Sequence, residues 1–244
     1  MKPLTGTDAL ILCGGLGTRI RSVLGDRPKV LAPIEGVPFL TLMLASLAEQ
    51  GLTRAVLCLG FGSQAVLEFL RSSPPRGIEI ATSVESEPLG TGGALRLALP
   101  LMTTGTILVL NGDTFLDLDW KAFVAFHENG RAGLTVAISR VADRSRFGTV
   151  ETDEAGAVVR LAEKEPGRSD PGWVSAGVYL VGRSLVEELP AGRSLSLERD
   201  VMPLWIGKGL YAYRGVRAFL DIGTPESYRG ASLSWLTGSR PGGR

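Results

Sequence analysis

An apolar run from Ala9 to Cys13 leads into Gly14-Gly15-Leu16-Gly17-Thr18-Arg19, and Pro28-Lys29 follows. Glycine lets a backbone approach a ligand closely and adopt positive φ. Successive backbone N–H groups in such a loop form an anion-binding concavity, and a helix starting beyond it adds positive potential. Arg19 and Lys29 bring two mobile cations to the same place. This combination suits a highly charged polyphosphate. A dinucleotide fingerprint would need a glycine where this chain has Ile20, and the P-loop spacing is absent. An ordinary strand-to-helix turn is the plainer alternative, and the glycines combined with both cations argue against it.

Two aspartates join this loop as candidates for chemistry. Asp113 ends Asn111-Gly112-Asp113, and Asp221 lies in Leu220-Asp221-Ile222-Gly223-Thr224. Each follows a strand-like run, and ligands of open α/β sheets bind beyond the carboxyl ends of strands. A carboxylate beside a polyphosphate is a natural ligand for Mg²⁺, which takes one or two carboxylates plus phosphate oxygens. Either aspartate alone reads equally well as a turn or cap residue; the two together with the glycine loop favour the metal.

The elements that must position these residues alternate in the first half. Strands are expected at Asp8 to Cys13, Arg54 to Gly60, Ile78 to Ser83 and Thr106 to Leu110. Helical spacing covers Pro38 to Gln50, Ser63 to Arg71 and Thr91 to Leu99, with Gly51 and Pro100 as stops. Such alternation predicts a Rossmann-like, mixed but mainly parallel sheet flanked by helices. The second half is richer in strands: Gly133 to Arg140, Gly148 to Thr152, Val158 to Ala162 and Trp173 to Val181. Helices are expected at Ser196 to Gly207 and Pro225 to Leu236, followed by a disordered tail from Gly238 to Arg244. One domain over 1–237 is the economical organisation.

Composition narrows the class. Net charge is +1 without a basic block, which argues against a nucleic-acid footprint. His127 is the one histidine, which argues against a histidine-based zinc site, and a solvated or helix-end position is expected for it. Cys13 and Cys58 sit in apolar strand-like runs and are expected to be buried, reduced thiols. Met1 to Asp8 is too short and polar for a secretory signal. No apolar run reaches the roughly 18 residues needed to span a bilayer. A cytoplasmic protein without membrane contact is expected; homo-oligomerisation stays open.

The glycine loop with Pro28-Lys29 resembles the signature of sugar-1-phosphate nucleotidylyltransferases, and the resemblance extends along nearly the whole chain. Glu87-Pro88-Leu89-Gly90-Thr91-Gly92-Gly93-Ala94 is similar to the family's base-binding turn, and Asn111-Gly112-Asp113 to its metal-binding turn. Phe147-Gly148-Thr149-Val150, Glu163-Lys164, Ala176-Gly177-Val178-Tyr179 and the segment around Asp221 match later motifs. The resemblance implies a nucleotidyltransferase fold of the GT-A-like kind, here without a C-terminal β-helix. It implies that Gly14, Gly15, Gly17 and Thr18 meet the nucleotide, that Arg19 holds its β and γ phosphates, and that Lys29 holds a phosphate at the reacting end. Glu87, Gly90 and Thr91 would lie against base and ribose, and Asp113 and Asp221 would hold Mg²⁺. Glu163 would bind sugar hydroxyls, Lys164 the sugar phosphate, and Gly148 would give the sugar room. Ser175 stands where the family often has a sugar-contacting Asn.

The implied reaction joins an NTP and a sugar 1-phosphate into an NDP-sugar and pyrophosphate. Among short members, this chain most resembles the guanylyltransferases of D-glycero-α-D-manno-heptose 1-phosphate, through the glycine loop, the Glu87 turn, Asn111 to Phe115 and Ser196 to Asp200. That implies GTP and a heptose phosphate. Guanylyltransferases of mannose 1-phosphate, uridylyltransferases of N-acetylmuramate 1-phosphate and thymidylyltransferases of glucose 1-phosphate are the nearest alternatives. A non-catalytic nucleotide-sugar sensor is a different class, disfavoured because Asp113, Asp221 and Lys164 are all retained. A glycosyltransferase would use Asp117-Leu118-Asp119 as its metal motif, but that triplet reads better as a helix cap.

Overall fold

The computed structural model of the protein describes residues 1–130, 132–145, 147–162 and 169–236, with Trp235 and Leu236 as backbone only. The first half alternates strand and helix: β1 (Asp8–Leu12), α1 (Arg21–Leu24), β2 (Pro33–Ile34), β3 (Val37–Pro38), α2 (Phe39–Glu49), β4 (Arg54–Leu59), α3 (Ser63–Ser72), β5 (Glu79–Val84), α4 (Gly90–Ala98) and β6 (Thr106–Asn111). The second half contains β7 (Thr114–Leu118), α5 (Trp120–Asn129), β8 (Leu134–Val141), β9 (Thr149–Thr152), β10 (Val158–Ala162), β11 (Gly172–Gly182) and α6 (Arg183–Glu187). It closes with β12 (Leu210–Tyr213), β13 (Val216–Asp221), α7 (Pro225–Arg229) and α8 (Leu233–Leu236).

Among the described residues nine strands form the main sheet, in the order β10-β9-β11-β6-β1-β4-β5, with β8 pairing β11 and β12. The β6-β1-β4-β5 part is parallel throughout. Strand geometry sends successive side chains to opposite faces, and both faces here are covered. Ala9 and Ile11 of β1, with Leu57 of β4 and Leu108 of β6, pack with Phe39, Leu40, Met43 and Leu44 of α2. Leu10, Val56 and Val109 point the other way, onto Ala94, Leu95 and Ala98 of α4. This burial on two sides explains why the parallel strands are apolar runs rather than alternating ones.

β11 is antiparallel to β6, β8 and β9, and joins the parallel half to the strand-rich half. Its register against β8 shifts between Ser175 and Tyr179. At the centre of that irregularity Gly177 has φ +70°, and a Cβ there would lie 2.6 Å from Asn111 Nδ2.

The structure departs from the sequence reading in several places. Ser196 to Gly207 is not one helix: a π-helical turn over Leu197–Val201 passes into a 3₁₀ turn over Met202–Trp205. Pro203 lacks the N–H that would continue a regular ladder. Pro225 to Leu236 splits into α7 and α8, because Gly230 ends the first of them. The helix after the glycine loop is a single turn, α1, so helix dipole adds little there. β7 and β12 were not expected. The proposed tail lies outside the described residues. Asp119 does cap α5, accepting a hydrogen bond from Ala122 N–H at 3.0 Å.

His127 is at a helix end as expected, but it is not solvated. It is 5% exposed, on the buried side of α5, with Nδ1 2.8 Å from Thr135 Oγ1 on β8. Desolvation lowers its pKa below the ordinary imidazole value of 6.5. The unfolded chain therefore binds this proton more readily, and stability falls as pH drops below that value. Two stability predictions follow from these packing details. Thermal unfolding of the wild type should move to lower temperature between pH 7 and 5.5, and His127→Gln should flatten that dependence; an equal slope in both would remove His127 as its source. Gly177→Ala, which forces a Cβ into a left-handed position against Asn111, should cost about 1–3 kcal/mol in urea unfolding.

Candidate active site

β1, β4 and β6 deliver their carboxyl ends to one edge, since Leu12 stands opposite both Cys58 and Asn111. The ladder runs on into the loops: Cys13 N–H donates to Cys58 O at 2.8 Å, and Gly112 N–H to Leu12 O at 2.9 Å. The Gly14–Arg19 loop, Gly60, Glu85 and Asn111-Gly112-Asp113 are thereby stacked side by side. The closeness is what requires glycine. A Cβ on Gly14 or Gly60 would lie 2.9 or 2.4 Å from Glu85 Oε1, and one on Gly112 would lie 2.7 Å from Leu12 O. Gly17 takes φ +61°, beside the Lys29 stem.

Two cavities open at this edge and share Asn111 and Asp113. The smaller, about 340 Å³, is lined by Gly14, Gly15, Lys29, Glu85, Gly90 and Thr91 among others. The larger, about 670 Å³, is lined by Arg19, Asp113, Gly148, Ser175, Glu198 and Asp221 among others. Thr18 is exposed at the loop tip and lines neither. Glu87 is also exposed and lines neither cavity. Glu85, two residues earlier, faces the smaller cavity and accepts a hydrogen bond from Leu89 N–H at 3.0 Å, bracing the turn that leads to α4. Sequence reasoning missed it, because nothing in Glu85-Ser86-Glu87 says which carboxylate turns inward. Gly90 has φ +67°, and a Cβ there would meet Leu195 O at 2.5 Å.

Asp113 and Asp221 are brought together by an element the sequence did not reveal. β7 and β13 form an antiparallel ribbon in which Asp221 lies opposite Thr114. Ile222 N–H then donates to Asp113 O at 3.0 Å. A Cβ on Gly223 would lie 2.6 Å from Asp221 Oδ1, 3.1 Å from Arg19 Nη2 and 3.5 Å from Asp113 Oδ2, so these three groups surround one point. Lys29 Nζ is ion-paired with Asp113 Oδ2, both side chains being more than four-fifths buried. Burial first, then the Asp113 charge, raises the Asp221 pKa; Gly223 N–H, Arg19 and Lys29 offset part of this. A part-buried carboxylate pair at the edge of the cavities fits a divalent cation. No third His, Cys, Asp or Glu joins the pair among the described residues, so phosphate oxygens would have to complete the shell.

On the far wall of the larger cavity, Ser175 donates into a buried network. Tyr179, fully buried, donates its hydroxyl to Glu198 Oε1 at 2.9 Å and lies 3.1 Å from Ser175 Oγ. Thr91 Oγ1 donates to Glu198 Oε2 at 2.9 Å. Tyr179 and Glu198 belong to segments the sequence singled out, but neither was given a role. Burial and the Glu198 charge hold the Tyr179 pKa well above its usual value, so the phenol stays a donor. Glu163 and Lys164 lie outside the described residues; Ala162, just before them, lines the larger cavity. Trp173 lines neither cavity, and Arg214 sits over its ring at 5.5 Å. Cys13 and Cys58 are free, buried thiols as expected, and burial raises both pKa values, Cys58 to about 12.

Comparison with known proteins bears on this arrangement. The chain matches the nucleotidyl transferase family over residues 8–237. It is 33% identical over 239 residues to the mannose-1-phosphate guanylyltransferase of Mycobacterium tuberculosis, covering 96% of this chain and 66% of that protein. Against that relative the chain thus spans just under two thirds of the length. It is 34% identical over 225 residues to the D-glycero-alpha-D-manno-heptose 1-phosphate guanylyltransferase of Aneurinibacillus thermoaerophilus, covering 92% of this chain and 96% of the relative. The crystal structure of HddC from Yersinia pseudotuberculosis superposes with a TM-score of 0.82 at 32% identity, covering 94% of this chain and 99% of that one; it has also been solved complexed with GMP-PN. With the family matched across almost the whole chain and the paired cavities at the edge where the fold should place them, this chain belongs to the nucleotidyl transferase family.

Proposed function

We propose that the protein is a sugar-1-phosphate guanylyltransferase, converting GTP and a sugar 1-phosphate into a GDP-sugar and pyrophosphate. The observation that carries this reading is the meeting of two cavities at Asp113, with Arg19, Lys29 and Asp221 gathered around the junction. Guanine is favoured because relatives at 33% and 34% identity are both guanylyltransferases. D-glycero-α-D-manno-heptose 1-phosphate is the favoured sugar, since that relative matches this chain over nearly its own full length. Mannose 1-phosphate is the second reading, supported by the mycobacterial similarity. We place the reaction in the cytoplasm; no helix among the described residues is long and apolar enough to cross a membrane.

In this reading the smaller cavity takes the nucleotide, with Gly14 and Gly15 offering backbone groups to its phosphates and Gly90 and Thr91 flanking base and ribose, while Gly17 and Thr18 continue the same loop outside the cavity's lining. The larger cavity takes the sugar phosphate, Gly148 leaving room for the ring and Ser175 forming part of its wall. Glu163 and Lys164 would complete the sugar and phosphate contacts. The attacking phosphate oxygen is already ionised, so no general base is needed; His127, in α5 and paired with Thr135, lines neither cavity. The difficulty is bringing two anions into line, and Arg19 and Lys29 offset that repulsion while fixing the phosphates. Asp113 and Asp221 would hold a divalent cation, Mg²⁺ in this proposal, which when bound neutralises phosphate charge.

Lys29 has a second consequence. Its ammonium is paired with Asp113, and with three N–H donors it can keep that pair while it meets a phosphate. Purified protein should release pyrophosphate with GTP and the heptose phosphate when Mg²⁺ is present. Release with mannose 1-phosphate alone would keep the reaction and change the sugar, and release with no pair would sink the reading. Asp113→Asn should lower turnover by about 10²-fold or more, the scale of losing a well-placed electrostatic group, with an unchanged circular dichroism spectrum. Wild-type rates in that variant would remove Asp113 from the site.

A further inference from the structure

Three hydroxyl groups converge on the carboxylate of Glu198, and each already has its oxygen engaged by a backbone donor or a neighbour. Thr91 Oγ1 accepts from Leu197 N–H at 2.7 Å and passes its proton to Glu198 Oε2 at 2.9 Å. Ser196 Oγ accepts from Arg199 N–H at 3.1 Å and donates to the same oxygen at 3.0 Å. Ser175 Oγ accepts from Gly177 N–H at 3.3 Å, which leaves its proton for Tyr179 at 3.1 Å; Tyr179 in turn donates to Glu198 Oε1 at 2.9 Å. Every donor direction is therefore fixed by where the chain ends, at an ionised acceptor. Glu198 forms no ion pair among the described residues, so hydroxyl donors are what stabilise its charge there.

These donors come from different walls. Thr91 lies on α4 and lines the smaller cavity. Ser175 and Tyr179 lie on β11, at its register shift, and line the larger one with Glu198. The π-helical turn that carries Glu198 is closed by its own groups, Ser196 N–H bonding Asp200 Oδ2 at 2.7 Å and Asp200 N–H bonding Ser196 O at 2.9 Å. The carboxylate is thus not needed to form that turn; it spans from α4 to β11.

We propose that Glu198 is a positioning residue that couples the two cavities, so that filling one sets the affinity of the other. A movement of α4 on nucleotide binding shifts Thr91, and the carboxylate transmits it to Tyr179 and Ser175 at the sugar wall. The physical basis is that one anion cannot keep short bonds to both walls unless their spacing is held. The proposal rests on the assignment of nucleotide to the smaller cavity and sugar phosphate to the larger.

The test is calorimetric and needs no turnover. The α,β-methylene analogue of GTP, which cannot be cleaved at the reacting bond, is titrated into the protein with Mg²⁺, alone and with saturating sugar 1-phosphate, using the heptose and mannose compounds. In the wild type the two dissociation constants should differ by about fivefold or more, the ordinary scale of coupling between sites. Glu198→Gln, which keeps the shape but offers an amide donor to one of the hydroxyls, should bring the ratio close to one. Tyr179→Phe cuts only the sugar-side arm and should do the same while Thr91 stays bonded, and it carries the test if the Gln variant does not fold. A wild-type ratio of one, or a wild-type ratio persisting in either variant, overturns the coupling and leaves the cavity assignment standing. A wild type that binds neither compound overturns the assignment and this proposal with it.

Discussion

Asp113 and Asp221 are held close together and partly buried, with Lys29 and Arg19 beside them. The rest of the site can be understood as the apparatus that maintains this arrangement. Burial, and then the Asp113 charge, raises the cost of ionising Asp221. Lys29 answers on one side and Arg19 on the other. Two carboxylates beside two cations form a cluster that can take up a ligand bringing both a cation and phosphates. Neither aspartate is placed by its own neighbours in sequence. Asp113 is set by β6, the strand next to β1, and Asp221 by a ribbon that closes back onto it from more than a hundred residues away.

Close approach is the second requirement, and it falls on the backbone. Four loops emerge within a few ångströms of one another, and side chains at Gly14, Gly60 or Gly112 would collide with Glu85 or with the first strand. The glycines thus make room for the protein's own brace as well as for a ligand. Glu85 fixes the turn before α4, and α4 in turn fastens the far wall through Thr91. Rigid packing on both faces of the sheet, by α2 on one side and α4 on the other, gives these loops a firm base.

Much of this was legible beforehand, for reasons that particular residues make plain. The parallel strands are buried on both sides, so Ala9 to Leu12 and Ile107 to Leu110 are unbroken apolar runs that advertise themselves. The glycine loop and the two Asn/Asp turns were visible because their residue types are constrained by backbone geometry and charge. What was hidden depended on distant pairing. Thr114 to Leu118 carries a fair alternation, but only its partner β13 makes it a strand. Glu85 and Glu87 look alike until the turn's direction is known. His127 seemed an unremarkable helix-end residue, since nothing local shows that β8 lies beneath it. Ser196 to Trp205 has helical spacing of apolar residues, yet its backbone changes from π to 3₁₀ at Pro203, which spacing alone does not foretell.

β11 is the one strand that touches both halves of the sheet, and its register slips by the length of a short irregularity around Gly177. Ahead of the slip it belongs to the wall formed with β8 and β9; after it, to the core beside β6. An irregularity of this kind absorbs local change without passing it along the strand. The descent of such a fold can therefore be uneven. Residues on the β9–β10 side can change while Val178 to Gly182 keep their register against β6. One frame in this way carries a wall open to change on one side of a seam and a fixed strand on the other.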